Sequence, residues 1–241
     1  MNSEFRRIPV NKKENEVNVN IKGVIFDFNG TMFYDGEIQE KSWRTFLQRK
    51  IGRKVTDDEF QEYVHGRNVD VTLSYFLDKK LSKKEIEELA EEKEVVYREL
   101  CLGNKNKFKL ATGLIELLNH LKERKIPFTI ATASGLNNVK FFFKYLDLAT
   151  WFDIGNVVYD DGTIPGKPEP EIYIRAANKI GVSINECMVF EDAKSGILSA
   201  HRAGACKIVG VASLLDKEAL FKIQGVDQVI EDYRNAISLL K

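Results

Sequence analysis

The segment IKGVIFDFNGT, residues 21–31, joins a short apolar run to a cluster of acidic, amide and turn-forming residues. An apolar run that ends in a glycine turn is typical of a strand buried on both faces of a parallel sheet. Polar residues directly after such a strand lie at its carboxyl end, where open parallel sheets bind their ligands. The segment therefore predicts an α/β sheet and places Asp27 and Asn29 at its ligand-binding edge.

Further apolar runs and amphipathic stretches continue this pattern along the chain. The apolar runs span residues 126–131, 187–190, 207–211 and 228–230. The amphipathic stretches, which predict helices, cover roughly residues 113–123, 137–145, 170–180 and 194–203. Strands that alternate with helices pair in parallel through right-handed crossovers, so we predict a doubly wound, Rossmann-like α/β core.

One stretch, from about Glu37 to Leu102, interrupts the alternation because it shows helical patterns and no convincing strand. Within it, Ser82–Glu85 reads as a capping box that opens a helix with apolar residues at helical spacing. Gly103 is well placed to end that helix. We therefore predict an all-helical insert between the first strand and the rest of the sheet.

The composition narrows the class of protein. The chain has 241 residues, 44% of them hydrophobic, and its 36 Lys and Arg balance its 36 Asp and Glu. A nucleic-acid or membrane-surface protein usually carries a basic excess, so we expect neither partner and favour small-molecule chemistry. Three unpaired cysteines and a charged N-terminus without a signal-peptide core predict a cytoplasmic protein, which we expect to be a monomer.

Polar side chains follow the predicted strands or lie in the loops beyond them. These residues are Asp27, Thr132, Lys167 and Asp192. Each also has a plainer interpretation. Asp27 is compatible with an ordinary turn, Thr132 and Asp192 with helix capping, and a lysine in a loop is usually solvated. A functional site at the strand ends is favoured only because all four residues occur together in this order along the chain.

Four short motifs carry these residues. In chain order they are Asp27–Thr31 (DFNGT), Thr132–Ser134 (TAS), Gly166–Pro170 (GKPEP) and Glu191–Ala193 (EDA). Together they resemble the four motifs of the haloacid dehalogenase superfamily, and the helical insert resembles the small cap of its β-phosphoglucomutase-like phosphatases. The resemblance implies a catalytic core of residues 21–35 plus 104–241 and a helical cap of residues 36–103, after a mobile arm of residues 1–20.

The resemblance implies that Asp27 is a nucleophile that attacks phosphorus and forms an aspartyl phosphate, which splits one hard step into two. Mg²⁺ is the implied cofactor, because it offsets the repulsion between a carboxylate and a phosphate dianion and prefers oxygen ligands. Its implied ligands are Asp27, the backbone carbonyl of Asn29, and Asp192. Lys167 offers a positive charge to the transferring group and separates the carboxylates.

The remaining implied contacts are to the substrate. The residues implied to bind phosphate are Thr132, Ala133, Ser134 and Lys167. In the cap, Gln39 is implied to face the entrance, and Arg67 or Asn68 could reach a substrate from a turn between helices. The glutamates between Glu85 and Glu92 predict a solvated helix face.

Asn29 departs from the pattern of the family, whose phosphatases usually carry a second Asp at this position. That Asp protonates the leaving alcohol and later activates water, and an amide cannot carry the proton. Losing a general acid/base typically lowers a rate by roughly 10²–10⁴. The metal site should survive because it uses the carbonyl. Three explanations remain open: a slow or specialised phosphatase, a lost activity, or an engineered substitution.

From these observations we expect a Mg²⁺-dependent phosphomonoester hydrolase that acts on a small phosphorylated, sugar-like metabolite. Asp27, Asn29 and Lys167 form its predicted catalytic group. The alternative is a non-catalytic module that binds a sugar phosphate in the same pocket. A phosphosugar mutase is also compatible with the cap type, although a mutase would need the missing acid/base group even more.

Overall fold

Six parallel strands form the centre of the computed structural model, which describes residues 20–240. The strands are β1 (Gly23–Phe26), β2 (Phe128–Gly135), β3 (Val158–Asp160), β4 (Cys187–Glu191), β5 (Lys207–Val211) and β6 (Gln228–Ile230). Their order across the sheet is β3-β2-β1-β4-β5-β6. The mobile arm predicted for residues 1–20 lies, apart from Asn20, outside the described residues.

The first strand, β1, lies in the middle of the sheet and is buried along its whole length. Val24 and Phe26 pack into one apolar cluster, and Ile25 packs into another. Because successive side chains of a strand point to opposite faces, the sheet is covered on both sides. This arrangement confirms the predicted doubly wound α/β core.

Residues 36–103 fold as helices, without a strand in this segment. The helices are α1 (Gly36–Ile51), α2 (Asp57–Tyr63), α3 (Val69–Phe76) and α4 (Lys83–Gly103). Thr56 caps α2 and Ser82 caps α4, each in a capping box with the glutamate three residues later. The helices enclose an apolar cluster that includes Phe46 and Leu73. The all-helical insert is confirmed, and its division from the core as a domain of residues 36–103 stays our proposal.

Helices of the core cover the two faces of the sheet. They are α5 (Leu114–Glu123), α6 (Leu136–Tyr145), α7 (Glu171–Lys179), α8 (Lys194–Ala203) and the short α9 (Lys217–Phe221). Short 3-10 helices lie at residues 148–150, 154–156, 184–186 and 236–240. Within residues 20–240, no helix is long and apolar enough to span a bilayer.

Two elements, β3 and α9, were not predicted from the sequence, and β2 is longer than its apolar run. β3 has only three residues at the sheet edge, too few to show a pattern. β2 continues past Ala131 to Gly135, which pairs with Asp160 of β3. The motif Thr132–Ser134 therefore lies within the end of a strand rather than in the loop after it.

Candidate active site

The carboxyl ends of β1 and β4 bring three acidic side chains together. Asp27 directly follows β1, and Glu191 and Asp192 lie at the end of β4, its neighbour in the sheet. Carboxylate oxygens of the three residues lie within 4.8 Å of one another. All three side chains are buried. The sheet therefore concentrates three acidic groups at one edge, as the strand predictions implied.

Lys167 lies between two of these carboxylates. Its Nζ donates to Asp27 Oδ1 at 2.6 Å and to Glu191 Oε1 at 2.6 Å. Glu191 also accepts hydrogen bonds from the Tyr173 hydroxyl at 3.1 Å and the Ala193 backbone N–H at 2.7 Å. Both Glu191 oxygens thus have hydrogen-bond partners in the protein. The cluster as a whole contains three carboxylates and one lysine, so negative charge is in excess.

Burial changes the proton affinity of these groups. Burial, together with the charge of Glu191, raises the pKa of Asp27 to about 7, although Lys167 opposes the shift. Burial and the neighbouring acids likewise raise the pKa of Asp192 well above its usual value. Burial disfavours the charged form of Lys167, but Asp27 and Glu191 hold its pKa well above the ordinary value. The lysine is therefore a fixed cation, and the two aspartates need a further positive charge to ionise fully.

The donor set fits a small divalent cation. Asp27 and Asp192 supply carboxylate oxygens, which are hard ligands of the kind that Mg²⁺ prefers. Thr31 Oγ1 donates to Asp192 Oδ1 at 3.1 Å and helps to hold that carboxylate in place. The excess of buried negative charge gives a physical reason for a cation at this position.

Two glycines allow the acidic residues to approach the backbone. Gly30 has a φ of +78°, and a Cβ there would lie 2.0 Å from Asp192 Oδ2. A Cβ on Gly196, in the first turn of α8, would lie 1.5 Å from Glu191 Oε1. Any side chain at either position would displace a carboxylate of the cluster.

The motif at the end of β2 lies beside this cluster. Thr132 Oγ1 accepts a hydrogen bond from the Ser134 backbone N–H at 3.1 Å, so this N–H is already engaged. The Ser134 hydroxyl donates to Asn29 Oδ1 at 2.8 Å. Thr132, Ala133 and Ser134 all line the cavity above Asp27. The hydroxyl proton of Thr132 remains a candidate donor to a phosphate oxygen.

The side chain of Asn29 is held by a buried acid. Asn29 Nδ2 donates to Asp35 Oδ2 at 2.7 Å and to the Tyr97 hydroxyl at 3.1 Å. Asp35 is only 2% exposed, and it also accepts from Tyr97 OH at 2.6 Å and from Gln39 Nε2 at 3.1 Å. The Gly30 backbone N–H donates to its other oxygen at 3.0 Å. Residue 29 therefore belongs to a hydrogen-bond network that includes cap helices α1 and α4.

A cavity of about 650 Å³ opens above the acidic cluster, between core and cap. The core supplies its floor, including Asp27, Asn29, Lys167 and Asp192. The cap supplies a wall from α1 and α4, formed by Gln39, Glu87, Ala90, Glu91 and Glu94. Lys167 is the one lysine or arginine among the described residues that line the cavity. Glu87 and Glu91 belong to the predicted solvated glutamate face, and they also line this cavity.

The structure does not bring every predicted residue to this cavity. Arg67 donates to the Glu62 backbone carbonyl at 2.9 Å, and its side chain is exposed on the cap. Neither Arg67 nor Asn68 lines the cavity. The substrate role predicted for these two residues has no support from this arrangement. The other predicted residues, from Asp27 to Asp192, lie together.

Several residues of the site were missed in the sequence. Asp35 and Tyr97 carry no local signal, because their contacts with Asn29 depend on how the cap packs against the core. A signal for the cap wall does exist: Glu87, Glu91 and Glu94 recur at helical spacing and so share one face of α4.

Comparison with known proteins identifies the family. A family model described as haloacid dehalogenase-like hydrolase matches residues 21–204, more than half of the chain. The chain belongs to this family. Among curated proteins, it is 29% identical over 215 residues to a phosphorylated carbohydrates phosphatase of Thermotoga maritima, covering 86% of this chain and 93% of that protein.

Solved structures of haloacid dehalogenase-like hydrolases agree with this assignment. A family IA, variant 3 hydrolase of Entamoeba histolytica is 39% identical, with a TM-score of 0.83 and coverage of 88% of this chain and 94% of that chain. A structure described as a putative β-phosphoglucomutase of Thermotoga maritima is 27% identical, with a TM-score of 0.70 and coverage of 92% and 100%. The predicted class, a phosphatase of the β-phosphoglucomutase-like type, is confirmed.

Proposed function

We propose that the protein is a Mg²⁺-dependent phosphomonoesterase that acts on a small phosphorylated carbohydrate or polyol through a phosphorylated Asp27. The observation that carries the proposal is the buried cluster of Asp27, Asp192 and Lys167 at the floor of the cavity. The name of the Thermotoga relative, a phosphorylated carbohydrates phosphatase, supports the substrate class.

The proposed reaction has two steps. In the first, a carboxylate oxygen of Asp27 attacks phosphorus, the bond to the leaving alcohol oxygen breaks, and that oxygen takes a proton from solvent. In the second, water attacks the phosphorus of the aspartyl phosphate, releases inorganic phosphate and regenerates Asp27. Lys167 and the Thr132 hydroxyl hold the phosphoryl oxygens in both steps.

Asp27, Asp192 and the backbone carbonyl of Asn29 would hold the metal. When bound, Mg²⁺ supplies the positive charge that lets a carboxylate approach a phosphate dianion. The chain's own contribution is to keep two aspartates buried and close, with Thr31 orienting Asp192. Lys167 contacts Asp27 and also neutralises the third acid, Glu191.

Asn29 makes turnover dependent on the leaving group. Its amide cannot give a proton to the alcohol in the first step or accept one from water in the second. We therefore expect the rate of hydrolysis of alkyl phosphates to be lower by a factor of about 10²–10⁴ than in an enzyme that carries the acid. Aryl and acyl phosphates, whose leaving groups depart without protonation, should phosphorylate Asp27 readily.

A hydrolase fits the cavity better than a phosphosugar mutase. A mutase holds a second phosphate away from the nucleophile, and that phosphate needs a cation of its own. Among the described cavity residues the one basic side chain, Lys167, already pairs with Asp27. Each glutamate of the opposite wall lies within 4 Å of a lysine or arginine, so this wall offers a second phosphate no unpaired cation. The leaving group is therefore expected to be neutral or cationic.

Binding of fluoroberyllate, a mimic of the phosphoryl group on an aspartate, tests the proposed function. We expect calorimetry to detect binding in the presence of Mg²⁺ and none in its absence, because the mimic and Asp27 are both anionic. Asp27→Asn and Asp192→Asn should abolish binding, whereas Asp58→Asn, the same change on the exposed surface of α2, should leave it intact. Equal binding by the wild type and Asp27→Asn would overturn the proposal.

A further inference from the structure

The carboxylate of Asp35 lies behind Asn29, where the chain passes from the core into α1. Four donors surround it: the Asn29 amide, the Gly30 backbone N–H, the Tyr97 hydroxyl and the Gln39 amide. A buried acceptor with this many donors is satisfied as a carboxylate without any donor role of its own. Asp35 does not line the cavity, so it cannot touch a substrate bound there.

These contacts fix the orientation of the Asn29 amide. Its nitrogen must face Asp35 and Tyr97, because the carbonyl oxygen of an amide cannot donate to a carboxylate. Neither acceptor of the nitrogen lines the cavity, and Oδ1 accepts from the Ser134 hydroxyl. The hydrogen bonds of Asn29 therefore turn its nitrogen toward Asp35 and its oxygen toward Ser134, which lines the cavity.

We propose that Asp35 is a positioning residue of the active site, which acts through Asn29 by holding its amide nitrogen away from the substrate. The inference rests on the proposed function, since it concerns the proton that the leaving alcohol must receive. Asp35 and Asn29 form a matched acceptor and donor. The acid of the pair lies at position 35, outside the cavity, and the amide lies at position 29, where it lines the cavity.

The pairing predicts that Asn29→Asp alone does not create an efficient acid. When ionised, the new carboxyl group would put an acceptor where Nδ2 now lies, 2.7 Å from Asp35 Oδ2. When protonated, it would donate its single proton to Asp35 rather than to the leaving alcohol. The reciprocal exchange, Asn29→Asp with Asp35→Asn, keeps one acid and one amide in contact and moves the acid to the cavity. The effects of the two substitutions must therefore be strongly non-additive.

Four proteins test this pairing: the wild type, Asn29→Asp, Asp35→Asn and the double exchange, with Asp58→Asn as the matched surface control. We expect each single substitution to lower the melting temperature, and the double variant to recover most of that loss. For an alkyl phosphate, kcat of the double variant should exceed that of Asn29→Asp by at least about a hundredfold, the lower end of a general-acid effect. KM should change little, because Thr132 and Lys167 still bind the phosphoryl group.

Additive effects on melting temperature and on kcat would overturn the inference, as would Asn29→Asp alone matching the exchange. If a single variant does not fold, the wild type still tests the geometry. In labelled protein, the side-chain amide protons of Asn29 should exchange with solvent more slowly than those of Asn137, which also lines the cavity. Equal rates of proton exchange with solvent at Asn29 and Asn137 would contradict the pairing. If the wild type did not bind fluoroberyllate, the proposed function would be refuted. Failure of the pairing and failure of the proposed function are therefore distinguishable.

Discussion

At the scale of single residues, the site depends on close approaches that allow no extra atoms. Glu191 reaches Lys167 only because residue 196, in the first turn of α8, has no side chain. The ion pair between them is almost fully buried, with Glu191 1% exposed. A buried pair of this kind is strongly destabilised when one partner is displaced.

We predict that Gly196→Ala destabilises the fold by about 3 kcal/mol or more and removes phosphate-mimic binding, because the new Cβ overlaps Glu191 Oε1. Denaturant unfolding and calorimetry measure the two effects. Gly103→Ala is the control, since that helical glycine has open space around it and alanine favours helix. A Gly196→Ala variant as stable as Gly103→Ala would show that Glu191 does not need this approach.

The four motifs could be predicted from the sequence because each is local, and their residues meet where strand ends are adjacent. Asp35 could not be assigned in this way. Its partner Tyr97 lies 62 residues away on α4, and their contact requires the cap to fold and pack first. Residues that depend on packing between distant segments leave no pattern for a single sequence to show.

At the scale of elements, β1, β2, β4 and β5 were predicted from apolar runs, and the three-residue β6 was predicted from a shorter one. Within the helical insert, α4 was predicted from its capping box and the spacing of its apolar residues. The short β3 was missed, and with it the extension of β2 that carries Thr132–Ser134. The cavity-lining role of this glutamate face was not predicted, because an acidic helix face has the same sequence pattern whether it faces solvent or a cavity.

We predict that Ser82→Ala costs about 1 kcal/mol of stability, because it removes the side chain that accepts from the Glu85 backbone N–H at the start of α4. The control is Ser74→Ala, within α3, where alanine is an equally good or better helix residue. Denaturant unfolding of the two variants gives the comparison. Equal stabilities would mean that the capping box contributes nothing to this helix.

The cap wall makes a prediction about substrate charge. Glu87→Gln should lower KM for a sugar bisphosphate about twofold to fivefold relative to the monophosphate, since a screened charge interaction at the surface is worth at most about 1 kcal/mol. Glu88→Gln is a close control: both glutamates lie 3.8 Å from a lysine four residues earlier, and Glu88 does not line the cavity. Identical KM ratios in the two variants would contradict the assignment of this wall to substrate.

At the scale of the whole molecule, stability should depend on pH and metal together. The pKa of Asp27 is about 7 in the folded protein and near 3.8 when exposed, so between these values the folded state holds a proton that the unfolded state has lost. Stability of the metal-free protein therefore falls as pH rises through this window. The melting temperature should drop about 2–4 °C for each kcal/mol lost.

Melting curves in chelator and in Mg²⁺, between about pH 5 and 8, measure this dependence. Mg²⁺ binds the ionised carboxylates, so its stabilising effect should grow as pH rises. Asp27→Asn should flatten the metal-free profile because an amide has no proton to lose. If the metal-free protein became more stable with rising pH, the raised pKa of the buried Asp27 would be contradicted.

Localising a phosphoryl group on the protein tests the central claim most directly. After incubation with Mg²⁺ and an aryl or acyl phosphate, acid quenching, proteolysis and mass spectrometry should find one phosphoryl group on Asp27. The adduct should be lost in hydroxylamine, as acyl phosphates are, and should be absent from Asp27→Asn. It should accumulate because Asn29 cannot activate the water that removes it, and it should be shorter-lived in the Asn29→Asp, Asp35→Asn exchange. Hydrolysis that proceeds with Asp27 unmodified, or a phosphoryl group on another residue, would contradict the account.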